Sequence, residues 1–312
     1  MAVADRFYTP GMDTSDDGFE VDWTEHLLPF EGVDVHIYEW LPELPEGMRP
    51  HALIHISHGA GEHARRYQPL IRELVAAGYA VIADDHLGHG RTGVAAYGLG
   101  QLGPGGIPAA RRQVREVVRW GRGRHPELPF VELGHSWGSL LGQQLLRDEP
   151  LLFDAVVWSG TALALPGFIN PGDYNREWAG DGHGMSWLSR DVDEVQRMID
   201  DKYGFDIADS SVWSIWGALQ LLSLPPLPRF GRAARVPVLV LTGDHDPLGF
   251  NGRSPRALAW AYRWISRMQD VGFRLYPEAR HEVYNELDRA VTVRELLAWL
   301  DHRFVAPALS GR

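Results

Sequence analysis

The chain has 312 residues, enough for one large α/β domain with an inserted lobe or for two ordinary domains. Its formal net charge of −11 argues against a nucleic-acid-binding surface, because phosphate recognition needs clustered Lys and Arg. The chain has no cysteine, which excludes disulfides, a thiolate nucleophile and Cys-based zinc or iron–sulfur sites. The first 20 residues show no signal-peptide pattern, and no apolar run reaches transmembrane length, so we expect a soluble, cytoplasmic protein.

The N-terminal half is predicted to begin with a flexible lead-in and then to alternate strands and helices. Residues 1–20 are rich in Asp, Gly and Thr, and two strand-like runs at 25–28 and 33–40 predict an antiparallel hairpin. Further runs predict strands at 52–57, 80–83, 130–133 and 155–159, helices at 67–77, 108–120 and 140–147, and a long glycine-rich loop at 87–106. This alternation indicates a mostly parallel sheet covered by helices on both faces.

The alternation stops between residues 160 and 235, where helical patches near 193–201 and 212–222 accompany many aromatic residues. The aromatic residues are Phe168, Trp178, Trp187, Phe205, Trp213 and Trp216. They suit either the core of a small lobe or an acyl-binding lining, and the two roles are compatible. Strands at 237–241 and 273–276 and helices at 255–268 and 289–304 complete the chain. We therefore predict an α/β core formed by 21–159 and 236–312, with a helical cap inserted at 160–235.

The predicted strand at 130–133 leads into Gly134-His-Ser-Trp-Gly138, a Gly-x-Ser-x-Gly motif that a helix-compatible run follows at once. A serine on a tight strand-to-helix turn is lifted clear of its neighbours, and its strained backbone needs flanking residues without a Cβ. The turn also places Ser136 at a helix N-terminus, where free N–H groups favour a developing oxyanion. The motif predicts a serine nucleophile, although a plain glycine-bounded turn has the same spacing.

A nucleophilic serine needs a base, and the base needs an acid that orients it. On a parallel sheet such groups follow the C-terminal ends of strands, and Asp246 and His281 each follow a predicted strand. The order Ser136, Asp246, His281 is the chain order expected for this architecture. Asp244 is the competing candidate for the acid.

A second oxyanion donor is expected from a loop after an earlier strand. The loop His58-Gly-Ala-Gly-Glu62 follows the predicted strand at 52–57, and its glycines let the backbone approach a ligand closely. We assign the two donors to the backbone N–H groups of Ala60 and Trp137. The alternative for this loop is a plain turn.

Five sequence blocks resemble the monoglyceride-lipase and lysophospholipase group of α/β-hydrolases, which is classed with the serine aminopeptidases. The blocks are His58-Gly-Ala-Gly-Glu-His63, Asp85-His-Leu-Gly-His-Gly-Arg-Thr92, Gly134-His-Ser-Trp-Gly138, Gly243-Asp-His-Asp-Pro-Leu248 and Tyr276-Pro-Glu-Ala-Arg-His-Glu-Val-Tyr-Asn-Glu286. They occur in the order of that family and cover the core from about residue 24 onward, whereas the cap matches only loosely at Trp187-Leu-Ser-Arg-Asp191.

The resemblance implies an α/β-hydrolase fold with a mostly parallel central sheet, flanking helices and an inserted helical cap. It also implies that Ser136 is the nucleophile, Asp246 the acid and His281 the base, with Ala60 and Trp137 as oxyanion donors. The acid is placed at Asp246 rather than Asp244 because the family has its acid directly before the proline.

Three positions depart from the family pattern. Trp137 stands where the family usually has methionine, Ser139 where glycine is common, and Thr92 where serine is usual. A backbone donor at position 137 survives any side chain, but a bulky indole beside the nucleophile is expected to reshape the acyl pocket.

We therefore expect a serine hydrolase that cleaves a monoacylglycerol-like, lysophospholipid-like or similar carboxylic ester through an acyl-enzyme on Ser136. Its partner is a small ester with an apolar acyl group, and the pattern is compatible with transient contact between the cap and a membrane surface. No cofactor is implied. Asp84, Asp85, His86 and His89 are the best candidates for a metal site, but their spacing matches no metal motif, and loop hydrogen bonding is the favoured interpretation.

Other functions stay open on the same scaffold. They are a peptidase that releases N-terminal residues, an acyltransferase, a lactonase and a non-catalytic ligand-binding protein. Aspartate-nucleophile relatives, the dehalogenases and epoxide hydrolases, are excluded by the serine at position 136.

Overall fold

The structure, a computed structural model, describes residues 22–207, 215–223 and 227–306. The predicted lead-in at 1–20, Trp213 and the side chain of Trp216 lie outside the described part of the chain. Among the described helices, none is both long and apolar enough to cross a membrane.

The described residues form one mixed sheet of eight strands in the spatial order β1-β2-β4-β3-β5-β6-β7-β8. The strands are β1 Thr24–Phe30, β2 Val33–Trp40, β3 Leu53–Ser57, β4 Ala80–Asp84, β5 Phe130–His135, β6 Ala155–Ser159, β7 Val238–Gly243 and β8 Val271–Tyr276. Strand β2 pairs antiparallel with β1 and with β4, and every later pair is parallel. The predicted α/β class, with a mostly parallel sheet, is confirmed.

Helices cover both faces of this sheet, which is why strands β3 to β7 are buried along their whole length. The helices are α1 Gln68–Ala76, α2 Gly90–Ala95, α3 Gly106–Arg124, α4 Ser136–Asp148, α5 Val192–Asp200, α6 Ile215–Leu221, α7 Arg253–Trp260 and α8 Arg289–Phe304. Residues of α3, α4 and α7 pack with one set of alternating strand side chains, and residues of α1 and α8 pack with the other set. The strand ends that precede the predicted site residues are thereby held in a rigid layer.

The chain between β6 and β7, residues 160–237, leaves the sheet and is called the insertion below. It contains α5 and α6, and Trp187, Leu188 and Met198 form a small apolar cluster of their own within it. Strand β6 ends at Ser159 and β7 begins at Val238, and the division into core and cap at 160 and 235 stays a prediction.

Candidate active site

Ser136 lies where β5 ends and α4 begins, and its φ angle is +48°. A left-handed backbone is uncommon for a residue with a side chain and persists only where the surroundings fix it. A Cβ at Gly138 would meet the carbonyl oxygens of Ser57 and His58, and a Cβ at Gly134 would meet the backbone of Ser139. The two glycines of the motif are therefore required for the close packing that holds the turn.

His281 and Asp246 come together from the loops after β8 and β7. Nδ1 of His281 lies 3.0 Å from Oδ1 of Asp246, and both side chains are buried. Nε2 of His281 is buried and has no hydrogen-bond partner among the described residues, and His281 and Ser136 line the same pocket. The carboxylate of Asp244 does not contact His281 in this way: its Oδ1 lies 2.7 Å from Nδ1 of His245, and the residue is partly exposed. The structure thus brings Ser136, His281 and Asp246 together, and it is Asp246, not Asp244, that contacts the histidine.

The surroundings of His281 make its imidazole easier to protonate than a free imidazole in water. Burial disfavours the charge, but the attraction of Asp246 and its hydrogen bond outweigh that effect and raise the pKa of His281 above its ordinary value. The oxygen that accepts from His281 also accepts from the backbone N–H of Leu248, at 3.0 Å, which fixes the carboxylate. With Nδ1 directed at Asp246, Nε2 is the nitrogen left to take a proton.

The two proposed oxyanion donors lie beside Ser136. Ala60 lines the pocket with Ser136, in the loop after β3. The backbone N–H of His86, after β4, donates to Nε2 of His58 at 3.0 Å and so ties that loop to the next strand end. Trp137 is the second residue of α4, so its backbone N–H has no helical carbonyl to bond.

The indole of Trp137 does not shape the pocket, contrary to the expectation from its size. It is fully buried, stacks on the ring of His89 at 5.0 Å and meets the edge of His86 at 5.6 Å. It belongs to the main apolar core, and it is not among the residues that line the pocket.

The insertion contributes most of the apolar side chains that line the pocket around Ser136 and His281. The ring of Trp187, in the insertion, contacts the imidazole of His281, and the two ring centroids are 4.6 Å apart. The apolar residues of the lining are Tyr174, Trp187, Leu188, Met198, Ile207 and Leu248. Of the described aromatic residues named from the sequence, Trp187 lines the pocket, and it packs in the small cluster of the insertion as well.

Sequence reasoning missed an ionic group in the lining of the pocket, formed by Glu62, Arg66 and Glu282. Arg66 binds Glu282 through two nitrogens, at 3.0 and 3.2 Å, and Glu62 at 3.1 Å. Burial opposes the charge on Glu282, but Arg66 outweighs it and lowers the pKa of Glu282 to about 2. Burial raises the pKa of Glu62, which accepts from the backbone N–H of Gly59 at 2.6 Å. The signal for these acids in the sequence was their position: Glu62 is the last residue of the loop that contains Ala60, and Glu282 directly follows His281.

The acids and histidines considered for a metal are hydrogen-bonded to one another and to the backbone. Asp84 bonds His55 and His86, each at 2.8 Å, and Asp85 accepts from Tyr38 at 3.0 Å. Asp85 also accepts from the backbone N–H groups of Ala64 and Arg91. Within the described ranges no group of three or more His, Cys, Asp or Glu is arranged to hold a metal ion.

The sheet order, the strained serine between a strand and a helix, and the buried Asp–His pair beside it define the class: an α/β-hydrolase with a serine elbow. Residues 48–288 match the sequence profile of the family described as serine aminopeptidase, S33. The chain belongs to this family.

Similar proteins include lipases and esterases. A monoacylglycerol lipase of Mycolicibacterium smegmatis is 27% identical over 287 residues, covering 89% of this chain and 96% of the relative. A monoglyceride lipase of Mus musculus is 26% identical over 300 residues, covering 90% and 91%. A thermostable carboxyl esterase from Bacillus coagulans has the same fold, with a TM-score of 0.77 and 21% identity over 91% of this chain and 99% of that one.

Proposed function

We propose that this protein is a carboxylic ester hydrolase that cleaves monoacylglycerol-like or lysophospholipid-like substrates through an acyl-enzyme on Ser136. The observation that carries the proposal is one pocket that holds the strained serine and the His281–Asp246 pair and is walled by apolar side chains of the insertion. Two similar proteins are named as lipases of monoacylglycerols, which supports the same substrate class here.

The proposed chemistry uses residues that line this pocket, together with Asp246 and Trp137. Nε2 of His281 takes the Ser136 hydroxyl proton while Oγ attacks the ester carbonyl carbon. The backbone N–H groups of Ala60 and Trp137 hold the resulting oxyanion. The tetrahedral intermediate then expels the alcohol, which takes the proton from His281. Water attacks the acyl-enzyme by the same route and releases the fatty acid.

The ionic group argues against the peptidase alternative. An aminopeptidase needs a carboxylate that is free to bind the α-ammonium group of its substrate. Both oxygens of Glu282 already bind Arg66, and the oxygens of Glu62 accept from Gly59, Tyr67 and Arg66. Acids of the predicted cap are the other candidates for that role. Asp173, Glu177, Asp181 and Asp193 are exposed, whereas Asp191 and Glu194 are partly buried.

The apolar wall predicts how rate depends on acyl length. Burying each methylene of an acyl chain is worth about 0.8 kcal/mol, or nearly fourfold in binding. We expect kcat/KM for p-nitrophenyl esters to rise from acetyl to about octanoyl, and esters to be cleaved far faster than aminoacyl-anilides. A preference for acetyl over every longer chain, or faster cleavage of the anilides, would contradict the lipid-ester proposal.

A pair of variants locates the acyl chain in the same assay. Met198→Ala removes a lining side chain and should move the optimum to longer chains. Trp137→Met changes an indole that lies away from the lining and should leave the optimum unchanged. A shift caused by Trp137→Met alone would place the acyl chain on the other side of Ser136. The cytoplasmic location and the contact between cap and membrane stay predictions.

A further inference from the structure

The outer face of α7 and of the π turn that follows it, Ala261–Ile265, is built almost entirely from arginine and tryptophan. From residue 253 to residue 267, the exposed side chains recur at intervals of three and four, which places them on one side of the helix. The exposed residues are Arg253, Arg256, Trp260, Arg263, Trp264, Ile265 and Arg267. Trp260 is 57% exposed and Trp264 is 65% exposed, which is unusual for so large an apolar side chain.

A second segment, residues 227–235, extends this face. The backbone N–H of Arg229 donates to the carbonyl of Ser266 at 2.7 Å, and that of Gln269 donates to the carbonyl of Ala234 at 2.9 Å. Leu227 is 77% exposed there and Phe230 is 73% exposed. We call the exposed residues of 227–235 and 253–267 together the Trp/Arg face.

The charge of the Trp/Arg face is opposite to that of the chain as a whole. Its two segments contain seven arginines and no Asp or Glu, in a chain with a net charge of −11. Asp154 binds Arg232 of this face as well as Arg122, so Arg232 adds no net charge to the face, and the neighbouring Asp270 binds Arg303 outside it. Residues 160–226, in contrast, contain ten Asp and Glu against four Lys and Arg. The positive segment 227–235 therefore follows the acidic residues 160–226 directly and forms the C-terminal part of the same insertion.

We propose that the Trp/Arg face docks on an anionic phospholipid bilayer. Tryptophan is enriched at membrane interfaces, and arginines beside it attract phosphate and anionic headgroups. The choice of a bilayer rests on the proposed function, because a monoacyl lipid substrate resides in membranes. The face begins near the site, since Asn251, two residues before Arg253, donates its backbone N–H to the carbonyl of Asp246 at 2.8 Å. Residues 160–226 contain an excess of acids that the same lipids would repel, so we expect the insertion to contribute to the contact through residues 227–235 of the Trp/Arg face.

Vesicle co-sedimentation tests this proposal on the full chain. Vesicles of phosphatidylcholine with about a third phosphatidylglycerol should bind the protein at low salt and release most of it near 0.5 M salt. Vesicles of phosphatidylcholine alone should bind much less. The double variant Trp260→Gln/Trp264→Gln should lower the partition coefficient about tenfold or more, because it removes both interfacial anchors and leaves every charge. Arg256→Gln/Arg263→Gln should reduce binding to the anionic vesicles alone.

Val192→Gln is the matched control, because Val192 is 75% exposed on the insertion. It should bind as the wild type does. Absence of wild-type binding to anionic vesicles at low salt, or equal binding by the double tryptophan variant, would overturn the proposal. A shift of an oligonucleotide, or a dimer lost in the tryptophan variant, in the absence of vesicle binding would assign the face to nucleic acid or to a second copy instead.

Hydrolysis of a soluble short-chain ester separates this proposal from the proposed function. All three variants above should retain that activity, because none of the changed residues lies in the pocket. Loss of vesicle binding with hydrolysis intact would concern the docking face alone. Vesicle binding by a protein that hydrolyses no ester would overturn the proposed function alone.

Discussion

Ser136 shows how a short motif can specify the backbone of a single residue. Its φ of +48° carries a cost of order 1–3 kcal/mol, which the packing around Gly134 and Gly138 sustains. The glycine spacing alone predicts this turn. The direction of the Trp137 indole could not be predicted in this way, because its partner His89 is distant in the sequence. The same holds for the contact that joins Arg66 to Glu282, which depends on the full fold.

The geometry of the two aspartates leads to opposite expectations for their amide variants. Asp246→Asn should lower kcat about 10⁴-fold, because an amide next to His281 favours the wrong tautomer. Asp244→Asn is the matched control and should change kcat by no more than a few-fold, since Asp244 contacts His245 instead. Steady-state kinetics on a short-chain ester measure both. The reverse ranking would move the acid to Asp244.

The rate should also depend on the protonation of His281. The imidazole must be neutral to accept the serine proton, and Asp246 raises its pKa above the ordinary value of about 6.5. We therefore expect kcat/KM to fall as pH drops through a midpoint above that value, following one ionisation. A profile that stays flat down to pH 5 would show that His281 is not the base.

At the scale of elements, strands and helices with regular apolar patterns were predicted well, and elements that depend on distant contacts were not. Strand β6 and helix α8 have the predicted bounds, 155–159 and 289–304. Strand β1 extends beyond its predicted end at residue 28 because an edge strand tolerates Pro29. The predicted loop at 87–106 was wrong over α2, Gly90–Ala95, whose first turn is held when Asp85 accepts from the N–H of Arg91.

The insertion is joined to the loop that carries His281 by a set of hydrogen bonds. The backbone N–H of Glu282 donates to the carbonyl of Leu188 at 2.8 Å, and the hydroxyl of Ser189 donates to the carbonyl of Asn285 at 2.7 Å. Arg190 binds the buried Glu286 at 2.8 Å. The loosely matching stretch Trp187-Leu-Ser-Arg-Asp191 is thus the part of the insertion that holds the histidine loop.

Removing the Arg190 anchor should disturb catalysis from a distance. Arg190→Gln leaves Glu286 buried without its cation, so we expect kcat to fall by roughly 10- to 100-fold as His281 loses its position. Arg197→Gln, on the exposed side of α5, is the control and should leave kcat unchanged. Ester kinetics with a thermal melt on each variant provide the comparison. Wild-type kcat in a folded Arg190→Gln protein would refute the positioning role.

At the scale of the whole molecule, the middle of the sheet contains a buried ionic cluster across three adjacent strands. His55 on β3 lies 2.7 Å from Glu132 on β5 and 2.8 Å from Asp84 on β4. Burial opposes the charge on the imidazole, but the attraction and hydrogen bonds of the two acids outweigh it and raise the pKa of His55 to about 10. The alternation of strands and helices predicted a sheet covered on both faces. It predicted neither this charge within the sheet nor the convergence of two arginine-rich segments on one surface.

The charged His55 predicts that the free energy of unfolding decreases as the pH rises into the alkaline range. Because the folded pKa of His55 exceeds its unfolded value, the contribution is complete below about pH 6.5 and is lost as pH rises through about 10. His55→Gln should lower the free energy of unfolding by about 3–5 kcal/mol at pH 7 and by much less at pH 10.5. His302→Gln, on the surface of α8, should change it by less than about 0.5 kcal/mol. Urea titrations at both pH values measure this, and an equal loss at both would contradict the charged His55.

Labelling by a fluorophosphonate probe tests the central claim, that Ser136 is an activated nucleophile, most directly. Oγ of an activated serine attacks the phosphorus and expels fluoride, whereas an idle serine does not react. Intact-mass and peptide analysis should show one adduct per folded chain, on the peptide that contains Ser136, and no adduct on Ser136→Ala. A folded wild-type protein that stays unlabelled, or a Ser136→Ala variant labelled to the same extent, would contradict the account.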